Sequence, residues 1–272
     1  MVSTVEQPEA LIGKGLTSEA FGRGEDRVLK LFFPWVPEST VQREFNITRT
    51  VHAAGAPCPA AFEMLKLGDR HGIIFERVRG HSLVREVEMK PWTLFAAARL
   101  LAELQAQIHA RDAPAGLPAQ RDQVARWVER AVDFTPAQKE VAWRHLEQLP
   151  PGHCLCHGDF HPANILLTAR GPIIIDWSRA TRGHAPADVA RTSVLFEHAD
   201  LPEEASLRIR LLMKLARRLL HTTYLKRYLE VRPGTLEEIE KWRVPQRMAA
   251  SAWQAERAAA MESSKHPVPG PR

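Results

Sequence analysis

The segment CLCHGDFHPANILL, from Cys154 to Leu167, sets His157, Asp159 and Asn164 in the order H-x-D-x-x-x-x-N, and the β-branched run from Ile173 to Ile175 then ends at Asp176. Two acids and an amide around a hairpin are the residue types that phosphoryl transfer needs. One carboxylate orients or deprotonates an attacking hydroxyl; an amide and a second carboxylate supply oxygen ligands that hold magnesium against phosphates. A strand pair with a polar loop at one end presents all three on one edge. A zinc site is a second reading of the segment, because His153, Cys154, Cys156, His157 and His161 are all ligand types. Structural zinc sites use ligand pairs on turns with a second pair further away, whereas on a strand Cys154 and Cys156 share a face that His153 and His157 do not join. A plain polar turn between strands is the third.

The residues before this segment read as short strands: Leu11 to Gly13, Ala20 to Gly22 and Val28 to Phe33, joined by turns through Gly15 and through Gly24 to Asp26. One helix follows, with Ser39 as its cap, Gln42 as capping-box partner, and Gly55 and Pro57 as its end. Ala61 to Leu65 and Gly72 to Phe75 supply two further strands. Alternation puts Lys30 on the face of Val28 and Phe32, and helical spacing puts Glu44 on a stripe with Ile47, Val51 and Ala54. A glutamate on a buried stripe needs a cation, and Lys30 is one. Gly13 and Gly15 allow close backbone approach, with Thr17 and Ser18 beside them; glycine turns between strands also occur without any ligand.

After Gly80 the pattern turns helical. Leu94, Ala97, Leu101, Leu104 and Ile108 draw one apolar stripe, and further helices are expected over Gln123 to Val132, Pro136 to Leu149, Ala187 to Phe196, Glu203 to Glu230 and Thr235 to Ala260. The expected organisation is an N-terminal lobe over 1–79, a C-terminal lobe over 80–262 and a flexible tail over 263–272, where three prolines interrupt any apolar pattern.

HGDFHPANIL followed by IIIDW resembles the signature of the aminoglycoside phosphotransferase and choline kinase-like family of small-molecule kinases. The resemblance covers Leu11 to about Asp188. It implies an α+β, bilobal protein-kinase-like fold, with a small β-rich N-lobe carrying one helix, a larger and mainly helical C-lobe, and ATP or GTP with Mg2+ between them. By resemblance Asp159 is the catalytic base, Asn164 and Asp176 are metal ligands, and His157 and Asp188 support the catalytic loop. Gly13, Gly15 and Ser18 then cover the phosphates, Lys30 contacts them and Glu44 holds Lys30. The segment IIFERVRG resembles the hinge, where backbone at Glu76 and Val78 meets adenine; as sequence it also suits a plain edge strand. Two departures stand out from protein kinases: Asp176-Trp177-Ser178 replaces D-F-G, and His161 replaces the lysine two residues after the catalytic aspartate.

Composition fits a globular protein, with 44% hydrophobic and 25% charged residues. The net charge of +5 favours anionic partners, but the basic residues are dispersed without a basic and aromatic stripe, so nucleotide is expected and nucleic acid is not. Charges interrupt every long apolar run, and Met1 to Pro8 lacks a basic-then-apolar pattern, so no membrane partner and a cytoplasmic location are expected. Three cysteines suit reduced thiols. Oligomeric state leaves no trace in the sequence. The resemblance implies a small-molecule hydroxyl as acceptor, with an antibiotic sugar first among candidates; a metabolic kinase for choline, homoserine or a sugar, and a catalytically silent nucleotide-binding scaffold, are the alternatives. Glu197, Asp200, Glu203 and Glu204, and then Glu237, Glu238 and Glu240, are acids that could meet a polycation, but Arg208, Arg210, Arg217 and Arg218 interleave with them. Tyr224, Tyr228, Trp242 and Trp253 suit either an acceptor pocket or the core.

Overall fold

The structure, a computed structural model, describes residues 10–198, 206–232 and 234–265, with side chains for these residues other than 198 and 256–265. The chain divides into two compact units. The first holds the residues up to Arg79, the segment Ile173–Ser178 and the chain from Trp253; the second holds Gly80–Pro172 and Arg179–Ala252.

The first unit is built on one antiparallel sheet. Its strands are β1 (Leu11–Lys14), β2 (Ser18–Arg23), β3 (Arg27–Phe32), β4 (Ala61–Leu67) and β5 (Arg70–Glu76), in the spatial order β1-β2-β3-β5-β4. Lys30 pairs with Ala20 on one side and Ile73 on the other, so β3 is central. Alternation along β3 sends Leu29 and Leu31 to one face, where they pack with Ile74. The other face carries Phe32 against Val41 and Phe45 of α1 (Glu38–Ala53), with Ile73 and Ala61. Lys30 shares the face of Phe32 and therefore points into an apolar layer.

Helix α1 begins two residues earlier than a Ser39 cap implies and is not capped by Ser39. Pro37, with extended backbone, occupies the cap position without a side-chain bond, and the amides of Thr40 and Val41 both donate to its carbonyl. Ser39 is thus already inside the first turn, and Gln42 donates to Asn46 one turn on rather than reaching back. Ala54, expected on the buried stripe, is exposed because the helix has ended at Ala53.

In the second unit, α3 (Leu94–His109) buries Leu94, Ala97, Leu101, Leu104 and Ile108, the stripe read from sequence. It follows the short strand β6 (His81–Ser82) and α2 (Leu83–Met89). Two helices come next, α4 (Gln120–Arg130) and α5 (Pro136–Gln148). The strand β7 (Cys154–Cys156) leads into the polar loop, a single 3-10 turn at Pro162–Asn164 and β8 (Ile165–Thr168), which pairs with β6. Strand β9 (Gly171–Ile174) starts in this unit and carries the chain into the first. Strand β10 (Thr181–Gly183), which has no sequence signal, pairs antiparallel with β7. Among the described residues three helices follow: α6 (Ala185–His198), α7 (Leu207–Val231) and α8 (Leu236–Lys265). Helix α8 runs through Ser263 and Ser264, into the segment expected to be a tail, because the alanine- and glutamate-rich run before them favours helix. Residues 266–272 of that segment lie outside the described residues. Tyr224, Tyr228 and Trp242 are buried, at 0%, 3% and 1% exposure, so these rings belong to the core rather than to an open pocket. The three cysteines are free, and among the described residues no helix is long and apolar enough to cross a membrane.

Candidate active site

In the first unit the Lys30 ammonium donates to Glu44 Oε1 at 2.6 Å and lies 3.5 Å from Asp176 Oδ1. Glu44 is 5% exposed. Burial favours a neutral lysine, but the charges of Asp176 and Glu44 outweigh it and hold the Lys30 pKa above its ordinary value. The ammonium is therefore fixed as a charge. Asp176 is brought to it by a short anchored segment: the Ile174 amide donates to Pro57 O at 2.7 Å, and the buried Trp177 ring donates to Ile174 O at 2.8 Å. Trp177, where D-F-G has phenylalanine, is thus a core anchor. Asp176 has a φ of 61°, the left-handed region, and among the described residues it is the one non-glycine there. Ser178 Oγ donates to its Oδ1 at 3.0 Å. Backbone strain of this kind persists where surrounding structure over-determines it.

Near the same sheet, the Gly15 amide donates to Ser18 O at 2.8 Å and closes the β1–β2 turn. A side chain at Gly13 would meet nothing within 4 Å, so the fold itself does not require glycine there. Ser18 is 6% exposed. At the end of β5, the Glu76 amide donates to Ala60 O and the Ala60 amide to the Glu76 carboxylate, which uses this residue's own N–H inside the protein. Val78 follows in half-buried irregular backbone.

The second unit assembles the polar loop around Asp188 of α6. Its carboxylate, 1% exposed, accepts from the His157 amide at 3.1 Å, the Gly158 amide at 2.8 Å, Gln105 Nε2 at 3.0 Å and His109 Nε2 at 3.0 Å. A carboxylate can only accept, so the His109 Nε2 facing it carries a proton, and Nδ1 makes a second hydrogen bond, 2.7 Å long, with the Tyr228 hydroxyl. Burial alone would push the Asp188 carboxyl up; His109 and Gln105 reverse that and hold it at about 2. Gln105 also donates to Thr192 Oγ1 and accepts from the Tyr224 hydroxyl, and Thr192 Oγ1 donates to Phe160 O at 3.0 Å. Sequence reasoning missed Gln105, His109 and Thr192. The available signal was two polar residues one turn apart on the apolar stripe of α3.

Within the loop, His157 is fully buried and its Nδ1 accepts from the Asp159 amide at 3.2 Å. Gly158 has a φ of 78°, and a Cβ there would sit 2.4 Å from Arg179 O, so only glycine fits. Asn164 donates through Nδ2 to Asp159 O at 2.9 Å and approaches His161 Nε2 at 3.2 Å. Both contacts use the nitrogen, and Oδ1 takes part in neither. Among the described residues Asp159 Oδ1, which is buried, has no hydrogen-bond partner, and Oδ2 lies 3.9 Å from His161 Nε2. A buried carboxylate oxygen with no partner is a costly arrangement that a ligand or a proton relieves.

Of the zinc candidates, Cys156 alone joins a converging group among the described residues, with His109 and Asp188. Those two are already committed to each other, to Tyr228 and to the loop amides, and burial raises the Cys156 thiol well above its ordinary value, which disfavours thiolate. The acids considered for an acceptor are also spoken for. Glu197 pairs with Arg243 and Arg247, Glu237 with Lys241, and Glu240 with Arg243. Glu238 caps the start of α8 at Thr235. Asp200, Glu203 and Glu204 lie outside the described residues.

The chain is similar in structure to an aminoglycoside-3'-phosphotransferase of type VIII, at 18% identity, 88% of this chain, 91% of that one and a TM-score of 0.59. A choline/ethanolamine kinase family protein from Mesorhizobium loti aligns at 16% identity, 98% and 83% coverage and a TM-score of 0.58. A thermostable mutant of aminoglycoside phosphotransferase APH(4)-Ia, in ternary complex with AMP-PNP and hygromycin B, aligns at 18% identity, 95% and 94% coverage and a TM-score of 0.59. The fold is accordingly protein-kinase-like and α+β, with an antiparallel β-sheet in the N-terminal region and a mainly helical C-terminal part. In sequence, the chain is 30% identical over 185 residues to acyl-CoA dehydrogenase family member 11 of Gallus gallus; the match covers 58% of this chain and 23% of that protein, so it spans about a quarter of the relative's length. Residues 10–212 match the phosphotransferase enzyme family (APH), and the chain belongs to that family.

Proposed function

We propose that the protein is a magnesium-dependent phosphotransferase that moves the γ-phosphoryl group of ATP or GTP to a hydroxyl of a small molecule. The observation that carries this reading is the meeting of Lys30, Glu44 and Asp176, residues far apart in sequence, around one ammonium in a mostly apolar layer. Such an arrangement is costly unless the charge has a task.

In this reading Lys30, held by Glu44, contacts the α- and β-phosphates, while backbone at Gly13, Gly15 and Ser18 covers them and backbone at Glu76 and Val78 meets the base. Asn164 Oδ1 and the Asp176 carboxylate are hard oxygen donors, the kind magnesium prefers, and Asn164 already has its nitrogen turned away. Magnesium, when bound, neutralises charge developing on the phosphates. Asp159 orients the acceptor hydroxyl and takes its proton on the buried, unpartnered Oδ1. The acceptor oxygen forms its bond to phosphorus as the bond to the leaving nucleoside diphosphate breaks. His157 and Asp188 keep the loop in place so that Asp159 need not reorganise.

The test is release of nucleoside diphosphate across a panel of aminoglycosides, macrolides, amino alcohols, sugars and hydroxy acids, with wild type and Asp159→Ala side by side. Loss of a general base costs roughly two to four orders of magnitude in turnover. Equal turnover by the two proteins on any acceptor would remove Asp159 from the mechanism.

A further inference from the structure

The two halves of α7 in the second unit differ in what they bury. The second half packs into the core through Leu220, Tyr224 and Tyr228. No residue from Leu207 to Leu219 is buried. Leu207, Ile209, Leu211, Leu212, Leu215 and Leu219 are instead exposed, with Leu211 at 56%, Leu212 at 66% and Leu215 at 53%. Leu211, Leu215 and Leu219 follow one another at one-turn spacing and form a ridge, with Leu212 beside it. A helix face this apolar is ordinarily turned into a core. Here the half-buried positions are Arg210, Ala216 and Arg217, on the opposite side of the helix, so the leucine ridge points away from the protein body. Cations accompany it. Arg208, Lys214 and Arg218 are exposed, each three residues from Leu211 or Leu215, the spacing of neighbours on a helix. No acid occurs between Ser206 and Leu229, so these charges are not matched along the helix.

We propose that this half of α7 docks on an anionic membrane surface, with its leucines among the upper acyl chains and its cations at the lipid phosphates. Among the described residues no helix is long and apolar enough to cross a membrane, but lying on one requires only an apolar face bordered by cations. The charge selects the occupant first. Its single sign is complemented by an anionic surface, whereas a second copy would set like charges against each other across a symmetric contact. Shape selects it next. The leucines form a convex ridge, which a folded partner must meet with a matching groove and which fluid acyl chains close around without one. Exposed apolar side chains also extend past the ridge to Leu207 and Ile209, a wider arc than one flat protein face covers. The proposal is independent of the phosphotransfer reading, because this binding involves neither nucleotide nor acceptor.

Co-sedimentation of the whole protein with vesicles tests it, using phosphatidylcholine alone and phosphatidylcholine with about one-third phosphatidylglycerol. Expected is binding to the anionic vesicles about ten-fold tighter than to the neutral ones, weakening as salt is added. Leu211→Gln with Leu215→Gln should weaken that binding by about ten-fold, and Lys214→Gln with Arg218→Gln should bring it near the neutral-vesicle level. All four positions are exposed and glutamine favours helix, so both variants should keep the wild-type melting temperature; the charge pair serves if the leucine pair does not fold. Val141→Gln, at a 68% exposed apolar site on α5, should leave binding unchanged. Equal binding to both kinds of vesicle, binding indifferent to the leucine and charge pairs, or an equal loss in Val141→Gln overturns the proposal. A wild type that ignores vesicles overturns it too. If that protein forms a dimer on size-exclusion chromatography which the leucine pair abolishes, the face belongs to a second copy; if it binds polyglutamate, the face belongs to an acidic protein.

Discussion

A half-buried lysine held between two carboxylates has no local reason to exist, and the consequences of removing it differ from those of removing the whole group. Lys30→Met leaves Glu44 buried and facing Asp176 with no cation between them, and breaking a buried pair by deleting one partner costs about 3–5 kcal/mol. Replacing both members, Lys30→Met with Glu44→Leu, should recover much of that loss. Chemical denaturation of the single and double variants measures the difference, and a double variant no more stable than the single would show that the pair is not mutually stabilising. In the proposed mechanism both variants are inactive, so stability and turnover part company. Asp188 offers a second measurement. Its carboxyl is lowered from 3.8 to about 2 in the folded protein, so it contributes stability that is fully present above the unfolded value and lost as pH falls towards about 2. The shift corresponds to about 2 kcal/mol. The stability difference between wild type and Asp188→Asn should therefore be largest near neutral pH and shrink between about pH 4 and pH 2. A difference that stays constant or grows with acid would contradict the role given to its hydrogen bonds.

The elements that position these side chains differ in how plainly the sequence announces them. Alternation in β3 places Lys30 correctly because a strand pairing on both sides must alternate, and the α3 stripe is legible because five apolar residues repeat at helical spacing. The start of α1 is not legible in the same way. Ser39 fits a cap by type, but Pro37 already fixes an extended turn two residues before it, and cap choice depends on that geometry. Strand β10 is three residues long, too short for any alternation to show, and exists because β7 offers it a partner. The network around Asp188 hides for another reason: Gln105 and His109 look like interruptions of an apolar stripe until α6 and α7 supply Asp188 and Tyr228. Element-level dependence is testable at the loop. Gly158→Ala would push a Cβ to 2.4 Å from Arg179 O at a φ of 78°, so the loop must shift and carry Asp159 with it. Turnover should fall by at least ten-fold with nucleotide affinity nearly unchanged, since the displaced group belongs to the proposed acceptor side. By contrast Thr135→Ala, which removes the capping box of α5, should cost about 1 kcal/mol of stability and leave turnover alone. Melting curves and steady-state rates on the two variants separate a loop that positions chemistry from a helix end that only holds the fold.

At the scale of the whole chain, the two units are discontinuous in sequence: Ile173–Ser178 belongs with the first, although both its flanks belong to the second. The candidate residues divide the same way, with Lys30, Glu44 and Asp176 in one unit and Asp159, Asn164 and Asp188 in the other. A ligand that binds the native protein and not the unfolded chain adds its binding energy to stability as RT ln(1 + [L]/Kd), about 2.7 kcal/mol at a hundred times Kd. MgATP should accordingly raise the melting temperature by several degrees. The contrast among variants carries the argument. Lys30→Met should abolish the MgATP-dependent rise, and Asp176→Asn should remove its dependence on magnesium while keeping part of the response to nucleotide alone. Asp159→Ala should keep the full rise, because the proposed base acts on the acceptor and not on the nucleotide. Differential scanning fluorimetry with ATP, ATP plus magnesium, and magnesium alone reads all three. Were Asp159→Ala to lose the rise along with Lys30→Met, the division into a nucleotide-holding set and an acceptor-activating residue would fail, even if the protein proved to be an active kinase.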